Sequence, residues 1–345
     1  MIFSTVVAWR GYQSTELIIL YFDILRKRRD KVVISKLKKE LAIAVVMVVV
    51  SFVALSSATY AWYVANTIVN ATTSTISAKA NNFVLQIAKL SEGAQHGDNQ
   101  SLVAVTEGHT ISPSSTNDLK NWYICQGWGE NGKVTSYMKP TIEADGKYTI
   151  GTDRYAYIKS EYILYTITET GLCDVYLDGG ELAGAIQVTV QGSPTSTVIP
   201  ESMRVGITIQ DLEGTTPTGT EKLVLVYAPK NETGKGNDET AIDGWTYVKD
   251  ENTLASVTYP HIYEKTYTWT DSDNKVHDYA AVKSGESYVA PAANADTIAS
   301  DVDYDGKIMR VYIWLEGTDE QCVNNSNEDD PSTYNVTVSL AGVAK

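Results

Sequence analysis

Hydrophobic and polar residues alternate in short runs along most of the chain after residue 62, and no long window has the helical spacing of apolar positions. In the segment 204–210, Val205, Ile207 and Ile209 alternate with polar or small residues, and the segment 334–340 has the same period of two. Alternation of this kind indicates strands that bury one face against a second sheet.

Turn signals of the Asp-Gly and Asn-Gly type separate many of these runs. A weaker signal predicts a helix around residues 115–122. We therefore predict an all-β fold, a jelly-roll-like antiparallel β-sandwich with long loop insertions, preceded by an N-terminal signal or transmembrane helix. The predicted strands are 83–88, 101–105, 148–159, 162–168, 173–177, 186–191, 204–210, 222–228, 263–270, 279–283, 308–316 and 334–340.

Segments with the same strand pattern flank the polar stretches 231–243 and 271–277, which favours long surface loops over domain linkers. We expect residues 81–345 to form one sandwich domain. The alternative is a core with a subdomain inserted near residues 211–300.

The leader, residues 36–61, begins with three lysines, continues as the uncharged apolar run 41–55 and ends in small residues. A secretory signal peptide has this order of regions. We expect cleavage between Ala61 and Trp62, with cleavage after Ala58 as an alternative. An uncleaved anchor is the other interpretation, because about 18 apolar residues can span a bilayer.

Residues 1–35 are an unusually long prefix to such a leader. They fit either an incorrectly assigned start of translation or an extended cytoplasmic segment. In both cases we exclude them from the prediction of the fold.

The net charge of −14 is unevenly distributed. Residues 1–61 carry 9 basic and 4 acidic side chains, so the remainder of the chain has a net charge of −19. A body this acidic repels phosphate backbones, which argues against nucleic acid as a partner.

Three cysteines, Cys125, Cys173 and Cys322, are too few for a scaffold built on disulfides. At most two of the three form one disulfide, and their spacing does not identify the pair.

Catalytic signatures are missing from the sequence. The four histidines are scattered, and neither a HExxH nor a GxSxG motif, a P-loop or a dinucleotide-binding GxGxxG motif occurs. We therefore expect no enzymatic activity and no cofactor, with calcium as one exception to test.

Calcium is suggested by Asp301, Asp303 and Asp305, which occupy positions 1, 3 and 5 of a calcium-loop pattern with glycine at position 6. However, Tyr312 stands where an EF-hand has a bidentate glutamate. An acidic Asp-Gly turn before the strand 308–316 is the favoured interpretation.

Aromatic side chains suggest a carbohydrate platform as a second binding site. Trp122, Trp128 and the strand 267–270 supply them. Aromatic residues on sandwich strands are more often part of the core, so we favour that interpretation.

Two short segments resemble a known family. The junction Thr59-Tyr60-Ala61-Trp62-Tyr63 after a lysine-rich leader, and Ile313–Gly317 followed by Asp319 and Cys322, are similar to exported proteins of Gram-positive bacteria with SipW-dependent signal peptides. This group includes the TasA-type biofilm matrix proteins and the camelysins. The two segments cover about 25 and 13 residues, counted on the printed sequence.

The resemblance implies a secreted jelly-roll-like subunit of an extracellular matrix or surface fibre, processed by a SipW-type signal peptidase. Its only contact with a membrane would be through the precursor leader. In such fibres the mature N-terminal segment adds as a strand to the next copy. The donor residues implied here are Trp62, Tyr63, Ile68, Val69, Thr73 and Ile76.

The donor segment has suitable chemistry, because seven of the eleven residues 67–77 are β-branched and none is charged, proline or glycine. The alternative is that residues 62–78 pair within their own domain as a first strand. For function, the alternatives to a self-assembling fibre protein are a monomeric adhesion or carbohydrate-binding module and, more distantly, a secreted hydrolase.

Overall fold

The computed structural model divides the chain into two compact units, Met1–Trp62 and Tyr63–Lys345. In the first unit, residues 43–48 are helical and lie in the predicted apolar run. No helix among the described residues is long and apolar enough to cross a membrane. The structure describes residues 41, 43–48, 69–80, 85–96, 103–130, 132–180, 184–191, 202–228, 245–251, 253–257, 268–270, 273–285, 287–291, 296–320, 322 and 333–345.

The second unit is built from strands, as the alternation of apolar residues predicts. The fold class is therefore all-β, and most strand pairs are antiparallel. The strands in the described residues are β1 (Val69–Ala80), β2 (Leu85–Lys89), β3 (Val103–Glu107), β4 (Thr110–Ile111), β5 (Ser114–Thr116), β6 (Trp122–Trp128), β7 (Val134–Met138), β8 (Lys147–Ile150), β9 (Thr152–Tyr155), β10 (Ile158–Thr166), β11 (Cys173–Asp178), β12 (Ile186–Gln191), β13 (Met203–Glu213), β14 (Thr216–Tyr227), β15 (Trp245–Asp250), β16 (Thr253–Val257), β17 (Thr268–Thr270), β18 (Val276–Asp278), β19 (Ala280–Ser284), β20 (Ser287–Val289), β21 (Ala299–Val302), β22 (Lys307–Leu315) and β23 (Thr333–Ala344).

Two large sheets organise these strands. The eleven-stranded sheet has the order β20-β19-β11-β23-β1-β4-β9-β8, with β12 on β23, β21 on β11 and β3 on β1. The five-stranded sheet has the order β14-β13-β22-β10-β2. A three-stranded sheet, β5-β6-β7, and the hairpins β15-β16 and β17-β18 complete the described pairing.

One hydrophobic core lies between the two large sheets. Val175 and Val338 of the eleven-stranded sheet share it with Val205, Ile207 and other residues of the five-stranded sheet, and these four side chains are buried or nearly so. The predicted inward-facing residues of 204–210 and 334–340 belong to this core or pack at its margin. Alternation along the sequence therefore predicts correctly which residues face the second sheet.

The other face of the five-stranded sheet is covered as well, which the sequence analysis did not anticipate. Arg204 and Thr208 point away from the main core, yet both are buried. A Cβ atom on Gly206 would lie 2.8 Å from Cδ1 of Leu119, so a larger residue would displace this side chain of the loop after β5, which packs closely on β13. An aromatic layer covers this face, and its buried members include Trp122, Tyr148, Tyr157, Tyr312 and Trp314.

The predicted helix around residues 115–122 is wrong. Strand β5 ends at Thr116, and its hydroxyl accepts the backbone N–H groups of Asp118 (3.3 Å) and Leu119 (3.1 Å). The Asp118 carboxylate accepts the N–H groups of Lys120 and Asn121. These side chains replace helical backbone partners and stabilise a loop instead.

Candidate functional site

Strand β1 is the candidate assembly element, and it lies in the interior of the eleven-stranded sheet. Along one edge it pairs in parallel with β23, in a register that runs from Asn70↔Thr333 to Ala80↔Gly342. Along the other edge it pairs antiparallel with β3 and, at its beginning, with β4. Both edges of β1 therefore have backbone partners.

Ile76 anchors this strand in the core. Its side chain is 0% exposed and belongs to the cluster between the two large sheets, opposite Val338 in the register. In the single chain, β1 thus pairs with strands of its own domain. This is the arrangement of the alternative interpretation, in which residues 62–78 form a first strand of their own domain.

Of the remaining donor and cleavage residues, the structure describes only two. Val69 and Thr73 take part in the backbone register, opposite Ile111 and Asn335 respectively. Ala61, Trp62, Tyr63 and Ile68 lie outside the described residues. The predictions of signal cleavage and of an N-terminal signal helix therefore stay predictions.

A second candidate site is built around the buried carboxylate of Glu316, directly after β22. Its Oε2 accepts the indole N–H of Trp314 (3.1 Å), and its Oε1 accepts the N–H (3.2 Å) and the hydroxyl (2.8 Å) of Thr318. Burial raises the pKa of Glu316, whereas these donors, the hydroxyl of Ser115 and the charge of Arg204 act in the opposite direction. The carboxylate is thus fully enclosed and satisfied by donors from β5, β22 and the turn that follows.

Distant parts of the chain supply the rest of this site, which we call the Glu316 cluster: Ser115, Cys125, Tyr137, Arg204, Trp314, Glu316, Gly317, Asp319 and Cys322. Arg204 forms an ion pair with Asp319. The backbone N–H of Gly317 donates to the carbonyl of Ser114 (2.9 Å), and that of Glu316 donates to the carbonyl of Ser202 (2.8 Å). The cluster therefore fastens the end of β22 to β5 and to the beginning of β13.

Position 317 requires glycine because the neighbouring side chains leave no room for a Cβ atom. A Cβ atom there would lie 2.4 Å from Sγ of Cys125 and 3.3 Å from the ring of Tyr137. The segment of Ile313–Gly317, Asp319 and Cys322, on which part of the family resemblance rests, thus lies mostly in the interior. The sequence offered no signal that Cys125 and Arg204 would meet it there.

The structure holds all three cysteines in their reduced form, and each of the three side chains is buried. Cys125 and Cys322 belong to the Glu316 cluster. Cys173 lies elsewhere, on β11 in the core between the two large sheets, opposite Val302 and Ala344.

Two of the three aspartates of the predicted calcium loop, Asp301 and Asp303, have separate partners. Oδ1 of Asp301 accepts a hydrogen bond from Nζ of Lys345 (2.7 Å). Asp303 accepts the N–H of Gly306 (2.9 Å), which has a φ of +87°, and so closes the Asp-Gly turn before β22. No group of three or more metal-ligating side chains occurs in the part of the chain that the structure describes.

A carbohydrate platform needs aromatic rings with exposed faces, and neither tryptophan proposed for it is fully exposed. Trp122 is 3% exposed and packs on Tyr157 and Trp314. Trp128 is half-buried against the small cluster around Tyr123 and Val248. The favoured interpretation, that these residues form the core, is confirmed for Trp122.

Comparison with known proteins identifies no relative. No protein-family model matches the sequence, and neither a curated protein nor a solved structure matches the chain.

Proposed function

We propose that the protein is a secreted structural subunit of an extracellular matrix or surface fibre, and that copies assemble by exchanging β1. The proposed core is a jelly-roll-like sandwich, and the proposed role is mechanical rather than catalytic. The observation that carries the proposal is the place of β1, a terminal strand that lies inside a sheet with partners along both edges.

A strand in this place suits exchange between copies. Removing β1 would leave two unpaired edges, on β23 and on β3, with a vacancy in the core where Ile76 lies. Unpaired edges of this kind accept an added strand from another chain. The β1 of a second copy would restore the same backbone bonds and the same buried contact, so exchange costs little in contacts.

The connection after β1 favours exchange between copies over a free tail. Four residues, 81–84, join the end of β1 in the eleven-stranded sheet to β2, the last strand in the order of the five-stranded sheet. Short connections of this kind favour domain swapping. Because donor and acceptor are different surfaces, each copy donates one strand and accepts another, and the contact repeats into an open filament.

The direct test uses the register that the structure gives for β1 and β23. Thr75 of β1 lies opposite Thr337 of β23 in the backbone register, and Thr337 is half-buried between two core positions of its strand. Chains that start at Trp62 and carry either Thr75→Cys or Thr337→Cys are mixed, assembled and oxidised. A cross-linked dimer containing one chain of each kind is expected, because only exchange places the two cysteines together.

The matched control mixes Thr75→Cys with Thr149→Cys, whose residue is exposed on β8, away from the β1 register. The double variant Thr75→Cys/Thr337→Cys is oxidised at low protein concentration. If β1 pairs with β23 of its own chain, the two cysteines form an intramolecular disulfide. Cross-linking in the double variant but never in the mixture would refute the exchange of β1. Electron microscopy gives a second readout, since a chain starting at Asn81 is expected to form no fibres.

A carbohydrate-binding module remains the alternative function. The burial of Trp122 removes one member of its proposed platform. Retention of the Asn81 chain on a glycan array would support this alternative over the fibre.

A further inference from the structure

The Glu316 cluster brings together two cysteines that are far apart in the sequence. Cys125 lies on β6 of the three-stranded sheet, and Cys322 follows the end of β22 in the five-stranded sheet. Both side chains are buried. Sγ of Cys125 lies against Gly317, only 2.4 Å from the place of a Cβ atom on that residue, and Gly317 precedes Cys322 by five residues.

The chain between Gly317 and Cys322 folds back toward the cluster. The N–H of Asp319 donates to the carbonyl of Glu316 (3.1 Å), and the N–H of Cys322 donates to the carbonyl of Asp319 (3.1 Å). Two successive turns therefore connect Glu316 to Cys322, and Ser202, whose carbonyl accepts the N–H of Glu316 (2.8 Å), also forms a hydrogen bond with the thiol of Cys322. In agreement with this geometry, burial is the main cause that raises the pKa of Tyr137, and Cys125 and Cys322 both add to it.

Cys173 takes no part in this arrangement. It belongs to the core between the two large sheets, where its strand β11 pairs with β21 and β23. It is therefore the natural internal control for any chemistry of the other two cysteines.

We infer that Cys125 and Cys322 form a disulfide in the mature protein, which ties the three-stranded sheet to the end of β22. The two thiols lose two protons and two electrons as the S–S bond forms. The oxidant is a small-molecule disulfide, which is reduced to two thiols by exchange. The bond would close a loop of about 200 residues, a length for which cross-linking strongly restricts the unfolded chain.

The burial of the two thiols determines when this bond forms. Burial is the main cause that raises the pKa of both Cys125 and Cys322, and the carboxylate of Glu316 adds to it. Because the thiolate is the reactive form, exchange in the folded protein is slow at neutral pH. We therefore expect oxidation to occur while the chain folds, and the finished disulfide to resist small reductants. This inference does not depend on the exchange of β1.

The test maps the cysteines of the full-length chain, purified in detergent because of its apolar leader. The chain is unfolded, refolded with oxidised and reduced glutathione, denatured again in the presence of iodoacetamide so that every remaining thiol is alkylated, and digested without reduction. Mass spectrometry is expected to find one linked peptide pair with Cys125 and Cys322, and Cys173 alkylated. Alkylation of all three cysteines, or a linked pair that contains Cys173, would overturn the inference.

Melting temperatures give an independent readout. The oxidised wild type is expected to melt about 5 to 10 °C above the reduced form, as a long closed loop implies for a domain of this size. Cys322→Ala abolishes this difference, and Cys173→Ala retains it. An equal shift in Cys322→Ala and Cys173→Ala contradicts the inference. The peptide map of the wild type decides the matter even if one variant fails to fold.

Discussion

Strand β1 and the Glu316 cluster are held in place by different forces. Backbone pairing along two edges holds β1, with Ile76 as its buried anchor. Side chains from β5, β6, β7, β13 and β22 hold Glu316 and Gly317. Backbone pairing is available to any strand of suitable sequence, whereas the side-chain contacts exist only inside one folded copy.

This difference divides the proposed function between the two regions. A strand held by its backbone can be replaced by the same strand from a second copy at little cost in contacts. A buried charge held by specific donors cannot be replaced in this way, since every lost donor or acceptor costs stability. We therefore expect β1 to join copies and the Glu316 cluster to keep each copy folded.

The largest effect is expected for Glu316→Ala. This change leaves the indole N–H of Trp314 and the N–H of Thr318 without their acceptor and leaves Arg204 in the interior with one negative neighbour fewer. Breaking a buried charged network by removing one member costs about 3 to 5 kcal/mol. Urea denaturation of the chain starting at Trp62 measures the loss.

The control for this variant is Glu169→Ala, because Glu169 is exposed between β10 and β11. Its free energy of unfolding should stay within about 0.5 kcal/mol of the wild type. Equal effects of the two substitutions would show that the Glu316 cluster does not hold the copy together.

Ile76→Ala is expected to have the second-largest effect. The side chain is fully buried between the two large sheets, and its truncation leaves a cavity that costs about 2 to 4 kcal/mol. If β1 is exchanged, the cavity is formed in the neighbouring copy, so fibres weaken together with the fold. Thermal melting and the yield of sedimented fibre report the two effects.

Ile150→Ala is the matched truncation at an exposed position of β8. We expect it to change neither the melting temperature nor the fibre yield by a measurable amount. If Ile76→Ala forms fibres of normal yield and stability, β1 does not take part in assembly.

The sequence predicted many of the strands, for a simple physical reason, but not their pairing with β1. Alternation marks the inward face of a strand locally, so the segment 186–191 was predicted with the bounds that β12 has. The predicted strand 148–159 is broken instead, and Gly151 with a φ of +74° reverses the chain between β8 and β9. Local pattern identified β12 and the region of β8 to β10, whereas β6, β7, β15, β16 and β21 were not predicted, and one glycine conformation decided a boundary.

The Glu316 cluster lay beyond such reasoning. Its members Cys125, Arg204 and Glu316 are separated by about 80 to 190 residues in the printed sequence, and no periodicity connects them. The aromatic layer on the second face of the five-stranded sheet is a further example, since Trp122 reaches it from the separate sheet β5-β6-β7. Both depend on how sheets stack, which the alternation within one strand does not encode.

Gly317→Ala tests the cluster more gently than the loss of Glu316. The new methyl group would meet Sγ of Cys125 at 2.4 Å, so side chains must shift, at a cost of about 1 to 3 kcal/mol. Reduced protein with the second change Cys125→Ala should regain part of this loss, because the colliding sulfur is gone while Tyr137 remains close. Chemical denaturation of the two single variants and the double variant measures the coupling, and additive losses would argue against the contact.

The smallest effect is expected at the acidic turn before β22. Asp303→Ala removes the acceptor of the Gly306 N–H, and the loss of one partly buried hydrogen bond costs about 1 kcal/mol. We expect this loss to be the same with calcium and with a chelator, because Asp301 is engaged by Lys345 and Asp303 by its own turn. Melting curves of wild type and variant under both conditions test this. A rise in the melting temperature with calcium that Asp303→Ala abolishes would instead make the turn a third region with its own function, a calcium site at the beginning of β22.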